Sequence, residues 1–296
     1  MKKIVAIHDM SCFGRASLTV VIPIISSMGI QVCPIPTAIL SAHTQYEGFE
    51  SIDLTSFIPK VVEHWKKLDL TFEAVYSGFL ASTQQMSIVV DIINNFKSKD
   101  GFVLIDPVLG DHGKLYHGFD EDMVCGMRNL CENADIITPN ITEASFLLNH
   151  KLENTISIST AVLWCKELSK HGPNYVIITS APSKMTNMVA TITYDRIKDK
   201  IWFVECPKVS ASYPGTGDGF ASVVVGSMLN GDSIEKAVSR AAYFIDAGIN
   251  LTYDNSGKDI DGIFQEEVIP LLRKEVPTKY KCKEFFDIRL SFEDQS

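Results

Sequence analysis

Short hydrophobic segments that end in small or polar residues recur along the chain, and each is typical of a buried β-strand. They cover residues 4–7, 31–35, 74–76, 102–105, 135–137 and 175–178. Between them, apolar residues recur at spacings of three and four, which predicts amphipathic helices over residues 57–67, 86–96, 160–169 and 234–249. Strand and helix therefore alternate along the chain.

This alternation predicts an α/β fold in which right-handed crossovers build a mainly parallel sheet with helices on both faces. Residues 188–193 and 200–204 are instead two β-rich segments around a short polar stretch, which predicts a hairpin at an antiparallel edge. The tail after Pro277, with Phe285, Phe286 and Leu290, predicts a docked strand. Nothing marks a domain boundary, so residues 1–296 are predicted to form one domain.

The composition is that of a globular protein, with 46% hydrophobic and 21% charged residues. A net charge of −9 opposes the phosphate backbone of nucleic acid, and no stretch has the Lys and Arg density of a nucleic-acid groove. The apolar segments are too short for a signal peptide or a membrane span. The seven cysteines are scattered without a CxxC pair, which argues against a disulfide framework or a zinc site. We therefore expect a cytoplasmic protein without nucleic-acid or membrane partners.

A glycine-rich segment precedes the apolar stretch 220–229, and it reads Gly215-Thr216-Gly217-Asp218-Gly219. Such a turn at the start of a helix presents free backbone N–H groups and the positive end of the helix dipole, so it can hold phosphate oxygens without a lysine. An aspartate there repels phosphate if it only binds, but as a general base it can take the proton of an attacking hydroxyl. Asp218 is therefore a candidate base, with simple helix capping as the alternative.

Polar side chains also follow the later strands. Asp106 directly follows the strand at 102–105, and Asp111 lies in the loop after it. Neighbouring carboxylates at the ligand-facing edge suit Mg²⁺, which takes few protein oxygens and keeps phosphate oxygens as other ligands, whereas turn chemistry is the alternative. After the next strand, Asn140 and Glu143 have the spacing of a capping box. The hydroxyls of Thr179 and Ser180 end a fourth strand.

The first two strands lead into polar and aromatic loops. Asp9 and Ser11 follow the first strand, and the second is followed by His43, Thr44 and Tyr46. Loops of this kind suit a small planar substrate, while structural hydrogen bonding by His43 and packing by Tyr46 are the alternatives. The Walker A, GxSxG and HExxH motifs are absent, and GxGxxG does not follow the first strand. An ATP site must therefore be of another kind.

Taken together, five segments resemble the pyridoxal (pyridoxine, pyridoxamine) kinases of the ribokinase superfamily, in the same order along the chain. They are SAHTQY at 41–46, SGFL at 77–80, DPVLGD at 106–111, TPNITE at 138–143 and GTGD at 215–218. The resemblance implies a ribokinase-like three-layer α/β/α sandwich that transfers a phosphoryl group from MgATP to the 5′-hydroxymethyl group of a vitamin B6 vitamer. Members are generally homodimers, and whether a monovalent cation such as K⁺ assists stays open.

The resemblance also implies a role for each matched residue. Asp218 would deprotonate the substrate hydroxyl, with an anion hole formed by Gly215, Thr216 and Gly217. Asp106 and Glu143 would organise Mg²⁺. The ATP site would include Asp106, Asp111 at the start of a flexible flap, Thr138, Asn140, Thr179 and Ser180. The substrate site would include Asp9, Ser11, Thr44, Tyr46 and Phe79.

Two positions depart from the family pattern. Asp9 stands where many of these kinases have serine, and a carboxylate there would favour a protonated ring nitrogen or the ammonium group of pyridoxamine over the neutral aldehyde. Phe79 stands where several have tyrosine, which removes one hydroxyl from the pocket. Ring recognition is therefore open in its details.

Two other functions remain as alternatives. Hydroxymethylpyrimidine kinase shares the fold, the base and a comparable flat heteroaromatic alcohol, although the HTQY loop at 43–46 favours a B6 vitamer. A non-catalytic vitamin or nucleotide carrier is the second, and the retention of Asp218 with its glycines argues against it.

Overall fold

The structure is a computed structural model that describes residues 1–151, 156–183, 185–256 and 260–285. Strands and helices alternate over this part of the chain. The strands are β1 (Lys3–Ser11), β2 (Gln31–Leu40), β3 (Ser51–Asp53), β4 (Phe72–Ser77), β5 (Lys97–Ile105), β6 (Gly110–Asp111), β7 (Lys114–Leu115), β8 (Ile136–Ile137), β9 (Tyr175–Pro182), β10 (Met188–Asp195), β11 (Lys200–Pro207) and β12 (Lys283–Glu284). The α-helices are α1 (Leu18–Ser27), α2 (Ile58–Lys67), α3 (Thr83–Phe96), α4 (Glu121–Cys131), α5 (Ile141–Leu147), α6 (Ile158–Ser169), α7 (Thr216–Leu229), α8 (Ile234–Ser256) and α9 (Gln265–Val268). Two 3₁₀ helices cover Ile269–Arg273 and Thr278–Tyr280.

One large sheet runs through the molecule in the order β12-β11-β10-β9-β8-β5-β4-β1-β2-β3. The strands from β9 to β2 are parallel to their neighbours. At one edge β10, β11 and β12 are antiparallel, which confirms the predicted hairpin edge. β12 is a docked strand of the tail, whereas Phe286 and Leu290 lie outside the described residues. A further antiparallel strand, β3, lies at the other edge and was not predicted.

Two apolar cores lie on opposite faces of this sheet. Along β1, Val5 and Ile7 point into one core, and Ile4 and Ala6 point into the other, because successive residues of a strand face opposite sides. Helices α2 to α6 supply the first core, and helices α1, α7, α8 and α9 supply the second. The predicted arrangement of a mainly parallel sheet between two helical layers is therefore confirmed.

Several helices begin earlier than the apolar pattern predicts, because capping residues lie ahead of the amphipathic segment. Ser82 accepts the backbone N–H of Gln85 and starts α3, and Ser157 accepts that of Thr160 and starts α6. Within the described ranges, no helix is long and apolar enough to cross a membrane. All seven cysteines are free thiols.

The parallel strands β1, β4, β5, β8 and β9 end at the same edge of the sheet. Asp9 and Thr179 lie in the last parts of β1 and β9, and Gly78, Asp106 and Thr138 directly follow β4, β5 and β8. In open α/β sheets, ligands bind beyond the carboxyl ends of the strands. The fold therefore brings distant sequence segments to one edge.

Candidate active site

The first turn of α7 is open to a ligand. Gly215 precedes the helix with φ +74°, and no side chain caps the helix start. The first N–H groups of an α-helix have no partner within the helix, so here they are available to an anion. A Cβ at Gly215 would lie 2.2 Å from the carbonyl oxygen of Arg15, whereas a Cβ at Gly217 would meet Asp106 Oδ2 at 3.9 Å. Gly215 thus fixes the turn, and Gly217 lines the space beside Asp106.

Asp218 lies in this first turn and is held from both sides. Its Oδ2 accepts a hydrogen bond from the backbone N–H of Ser17 at 2.9 Å. Its Oδ1 lies 3.7 Å from Nδ1 of His8. The Asp218 side chain is 14% exposed, so the carboxylate is positioned by the protein and still reachable. This geometry suits a general base.

Asp9 is tied to the same place through Ser17. The Ser17 hydroxyl donates to Asp9 Oδ1, and the Ser11 hydroxyl donates to Asp9 Oδ2 at 3.4 Å. Burial raises the pKa of Asp9 above its ordinary value; the Ser17 hydrogen bond opposes this rise, and the charge of Asp218 adds to it. Ser11 is completely buried. Ser17 therefore bridges two carboxylates, one through its hydroxyl and one through its backbone.

Asp106 follows β5, and its carboxylate lies beside Gly217 in the first turn of α7. Thr138 donates a hydrogen bond to Asp106 Oδ1 at 2.9 Å. Burial first, and the charge of Asp218 second, raise the pKa of Asp106 to about 7, against the hydrogen bond from Thr138. A buried carboxylate whose charged neighbour is also negative is a site that favours a cation.

Glu143, in the first turn of α5, is the next buried carboxylate after Asp106. Its Oε2 accepts from the Asn140 backbone N–H at 2.8 Å, and the Asn140 side chain accepts from the Glu143 N–H at 2.9 Å, so the predicted capping box is present. Its Oε1 accepts from the Leu109 N–H at 3.2 Å. Burial and the charge of Asp106 raise the pKa of Glu143 well above its usual range. The residue is a helix cap that also adjoins Asp106.

The hairpin of β6 and β7 lies over this group, and we call it the flap. It turns at His112 and Gly113, both with positive φ. Two hydrogen bonds tie it to the start of α5: the Gly113 N–H donates to the Thr142 hydroxyl at 3.0 Å, and the Asn140 side chain donates to the Gly110 carbonyl at 2.9 Å. Asp111, in the flap, has a half-exposed side chain.

The remaining predicted ATP residues lie on β9. The Thr179 N–H donates to the Pro139 carbonyl at 3.0 Å, which brings Thr179 next to Asn140. Ser180 is exposed and has φ +55°. Thr179 therefore adjoins the start of α5, and Ser180 follows it on β9.

The loop with Thr44 and Tyr46 is fixed by the segment after α8. His43 is buried, and its Nε2 lies 2.8 Å from the carbonyl oxygen of Ile260, so His43 has a structural role. The Tyr46 hydroxyl donates to Asp261. Thr44 is exposed. Phe79 is half-buried and stacks on Phe119, with 5.8 Å between ring centroids.

Neither His8 nor Ser17 was predicted from the sequence to have a role in the site. Both meet Asp218, although roughly two hundred positions of chain separate them from it. Ser17 acts through its backbone at φ +54°, which no side-chain pattern reveals. A histidine directly after an apolar strand was a usable signal for His8.

Comparisons with known proteins identify the family of this chain. A family model described as phosphomethylpyrimidine kinase matches residues 7–261. The crystal structure of a putative phosphomethylpyrimidine kinase from Bacteroides thetaiotaomicron is 45% identical, with a TM-score of 0.92 over 96% of this chain and 98% of that one. An orthorhombic form of that protein, with pyridoxal, gives a TM-score of 0.90.

Pyridoxal kinases are similar over nearly the whole chain. That of Dictyostelium discoideum is 27% identical over 97% of this chain and 93% of its own. The crystal structure of pyridoxal kinase from Lactobacillus plantarum is 26% identical, with a TM-score of 0.83 over 92% of this chain and 96% of that one. The family model covers most of the sequence, and the solved relatives share the whole fold; the chain therefore belongs to the phosphomethylpyrimidine kinase family, within the ribokinase-like superfamily.

Proposed function

We propose that this protein transfers the γ-phosphoryl group of MgATP to the 5′-hydroxymethyl group of a vitamin B6 vitamer. The observation that carries the proposal is Asp218 in the uncapped first turn of α7, held by the Ser17 N–H, with the buried carboxylate of Asp106 close to the same turn at Gly217. The pyridoxal kinases among the relatives, and the Bacteroides relative with pyridoxal, support the choice of substrate.

The proposed reaction needs three contributions from this chain. Asp218 takes the proton of the vitamer hydroxyl while the oxygen attacks the γ-phosphorus, and the bond to the β-phosphate oxygen breaks to release ADP. The N–H groups of the first turn of α7, from Thr216 and Gly217 onward, hold the phosphoryl oxygens as their charge develops. Gly215 keeps this turn in place.

Asp106 and Glu143 fit a Mg²⁺ ion because both are buried carboxylates with a negatively charged neighbour: Asp218 for Asp106, and Asp106 for Glu143. Among the described residues, no group of three or more His, Cys, Asp or Glu side chains forms a ready-made metal cage. Mg²⁺ commonly uses one or two carboxylates together with substrate phosphates, and bound there it would offset the phosphate charge. Asp106 would hold the ion, and Glu143 would support it from the cap of α5.

The ATP side of the site is proposed to comprise Asp106, Asp111, Thr138, Asn140, Thr179 and Ser180. Asn140 connects the cap of α5 to the flap, so flap closure and phosphate binding act on the same residue. Closing the flap would limit hydrolysis of ATP by water. Whether a monovalent cation such as K⁺ assists is open, and replacing K⁺ by Na⁺ in the assay would decide it.

The vitamer is proposed to lie near Asp9, Ser11, Thr44, Tyr46 and Phe79. Asp9 is the distinctive group, because its carboxylate is buried beside Asp218 and would favour a cationic vitamer. The ring of Phe79 offers a flat apolar face.

A homodimer is proposed as the assembly. Met10, Ile39 and Ile52 are cross-strand neighbours on β1, β2 and β3, so they lie in one row, and all three are exposed. An exposed apolar row beside an edge strand is typical of a surface that another subunit covers. Sedimentation equilibrium of the wild-type protein and of Ile52→Lys would test this, with a dimer expected for the first and a monomer for the second.

Phosphorylation of hydroxymethylpyrimidine is the second candidate, favoured by the description of the matching family model. Purified protein with MgATP would be given pyridoxal, pyridoxine, pyridoxamine and hydroxymethylpyrimidine separately, with ADP release and the phosphorylated product measured for each. We expect product from the B6 vitamers. Product from the pyrimidine alone would overturn the proposal in favour of the second candidate, and no product from any alcohol would favour a carrier.

A further inference from the structure

The imidazole of His8 is buried beside the site without a conventional hydrogen bond. His8 lies on β1 and is completely buried. Neither ring nitrogen has a hydrogen-bond partner within the described part of the chain. Buried polar side chains are nearly always paired in folded proteins, so an unpaired imidazole at a functional edge needs an explanation.

The surroundings fix the orientation of this ring. A Cβ at Gly78 would come within 2.3 Å of Nδ1 and Cε1 of His8, so glycine at this position frees the space that this edge of the ring occupies. Tyr76 packs edge-on against the imidazole, with 4.3 Å between ring centroids. Held in this way, Nδ1 lies 3.7 Å from Oδ1 of Asp218. The nitrogen is aimed at the base rather than at solvent.

The carboxylate of Asp9 is not the partner of the His8 imidazole. Its two oxygens already accept hydrogen bonds from the hydroxyls of Ser17 and Ser11. Asp218, by contrast, has one oxygen held by the Ser17 N–H and the other facing His8. The geometry therefore pairs the imidazole of His8 with Oδ1 of Asp218.

We propose that His8 is a positioning residue for Asp218, an inference that rests on the proposed kinase function. When the vitamer and ATP bind, a small rotation of the carboxylate closes the gap, and Nδ1–H of His8 donates to Oδ1 while the Ser17 N–H keeps Oδ2. Catalytic hydrogen bonds are often long in ligand-free structures and shorten in the reactive complex. Each carboxylate oxygen accepts more than one hydrogen bond, so the oxygen that takes the substrate proton stays available.

The test uses two substitutions that have the same branching but differ in one donor. Asparagine places its amide nitrogen where histidine has Nδ1, and leucine has no donor at that point. We expect His8→Leu to lower kcat for the B6 vitamer roughly tenfold to a hundredfold, because the base is no longer held in line, with KM for ATP and vitamer changed by less than about twofold. We expect His8→Asn to recover most of kcat.

Two controls separate positioning from packing. His150→Leu removes a surface histidine that pairs with Glu167, and it should leave kcat unchanged. In an Asp218→Asn background, His8→Leu should cause no further loss, because the partner on which it acts has changed. His8→Gln, whose amide corresponds to Nε2, should behave like His8→Leu, and this variant serves if the leucine variant does not fold.

The outcomes that overturn the inference are distinct from failure of the proposed function. His8→Leu or His8→Gln with wild-type kcat overturns it, as does an equal loss in the asparagine and glutamine variants. A further loss of the same size in the Asp218→Asn background also overturns it. A wild-type protein that phosphorylates none of the four alcohols overturns the proposed function, and the role of His8 with it.

Discussion

Two helices begin at the same edge of the sheet, and their first turns are built in opposite ways. α5 starts with Asn140 and Glu143, whose side chains each accept the other's backbone N–H. α7 starts after Gly215, in the left-handed conformation, and no side chain caps it. The cap uses up backbone donors at α5 that remain available at α7.

The difference shows what glycine does at this edge. Ser82, Asp120 and Ser157 cap α3, α4 and α6 in the same way as Asn140 caps α5. At those helix starts, a side chain of the protein accepts a backbone N–H of the first turn. At α7 a glycine replaces the capping side chain, and the donors are left for an anion. A capped start adds stability, and an open start provides a binding site.

The largest expected effect comes from Asp218, the carboxylate in the open turn. Asp218→Asn removes the proton acceptor but keeps the size and the Ser17 contact, so kcat should fall about a thousandfold. KM for ATP should change little, because the N–H groups of α7 remain. Steady-state kinetics with a B6 vitamer would measure both. Turnover close to wild type would contradict the role of Asp218 as the base.

The two glycines of the open turn should separate stability from binding. At Gly215, alanine meets both a positive φ and the carbonyl oxygen of Arg15, so Gly215→Ala should lower the free energy of unfolding by about 1–3 kcal/mol. At Gly217 the added methyl points into the space beside Asp106, so Gly217→Ala should leave stability intact and lower kcat/KM for ATP about tenfold or more. Denaturant unfolding and kinetics on the same samples would show this split. Equal losses of stability would refute it.

Substitutions at the capped start of α5 should affect stability through the cap and ATP use through the flap. Asn140→Ala should lower the free energy of unfolding by about 1 kcal/mol, since it removes the cap of α5. Asp120→Ala removes the cap of α4 at a distance from the site and is the matched control. Both should lose similar stability by urea denaturation, while Asn140→Ala alone should also affect ATP use, because it frees the flap at Gly110. Identical ATP kinetics in the two variants would rule out that link.

The smallest effect concerns the pH dependence of stability through Asp9. Its pKa in the folded protein is raised above the ordinary aspartate value by burial, so the folded state binds this proton more tightly than the unfolded state. Its contribution to stability is therefore largest in acid and is lost as pH rises through the raised pKa. Asp9→Asn has no such proton, so it should stabilise the protein relative to wild type more at about pH 8 than at about pH 4. Unfolding at both pH values would measure this, and a constant difference would contradict it.

Much of the fold could be predicted because the parallel strands are buried on both faces. The buried parts of β1, β4 and β9, and the last residues of β5, are short apolar segments for this reason. β3 escaped prediction because its three residues are all exposed and show no alternation. α1 escaped because Pro23 lies inside it, which argues against a helix locally, while its buried residues pack in the second core.

Candidate site residues could be predicted where a motif of neighbouring residues marks them. Asp106, Asn140 and Asp218 each follow a strand or open a helix, and the capping box of Asn140 and Glu143 follows from spacing alone. The contacts of His8 and Ser17 with Asp218 depend on β1 meeting the start of α7 in three dimensions. No local pattern specifies such a meeting.

The flap has a consequence for how the protein can be modified. Each of its strands contains two residues, and an isolated two-stranded hairpin is at best marginally stable in water. Its tethers to Thr142 and Asn140 are single hydrogen bonds. Opening of the flap should therefore need much less free energy than global unfolding. The flap amides should exchange with deuterium long before those of the central strands. Of the flap residues, only Leu115 packs against the first core, so opening releases this one partly buried side chain and leaves the rest of both cores in place. Thermal tolerance and the rate of nucleotide exchange can therefore be changed largely independently of each other.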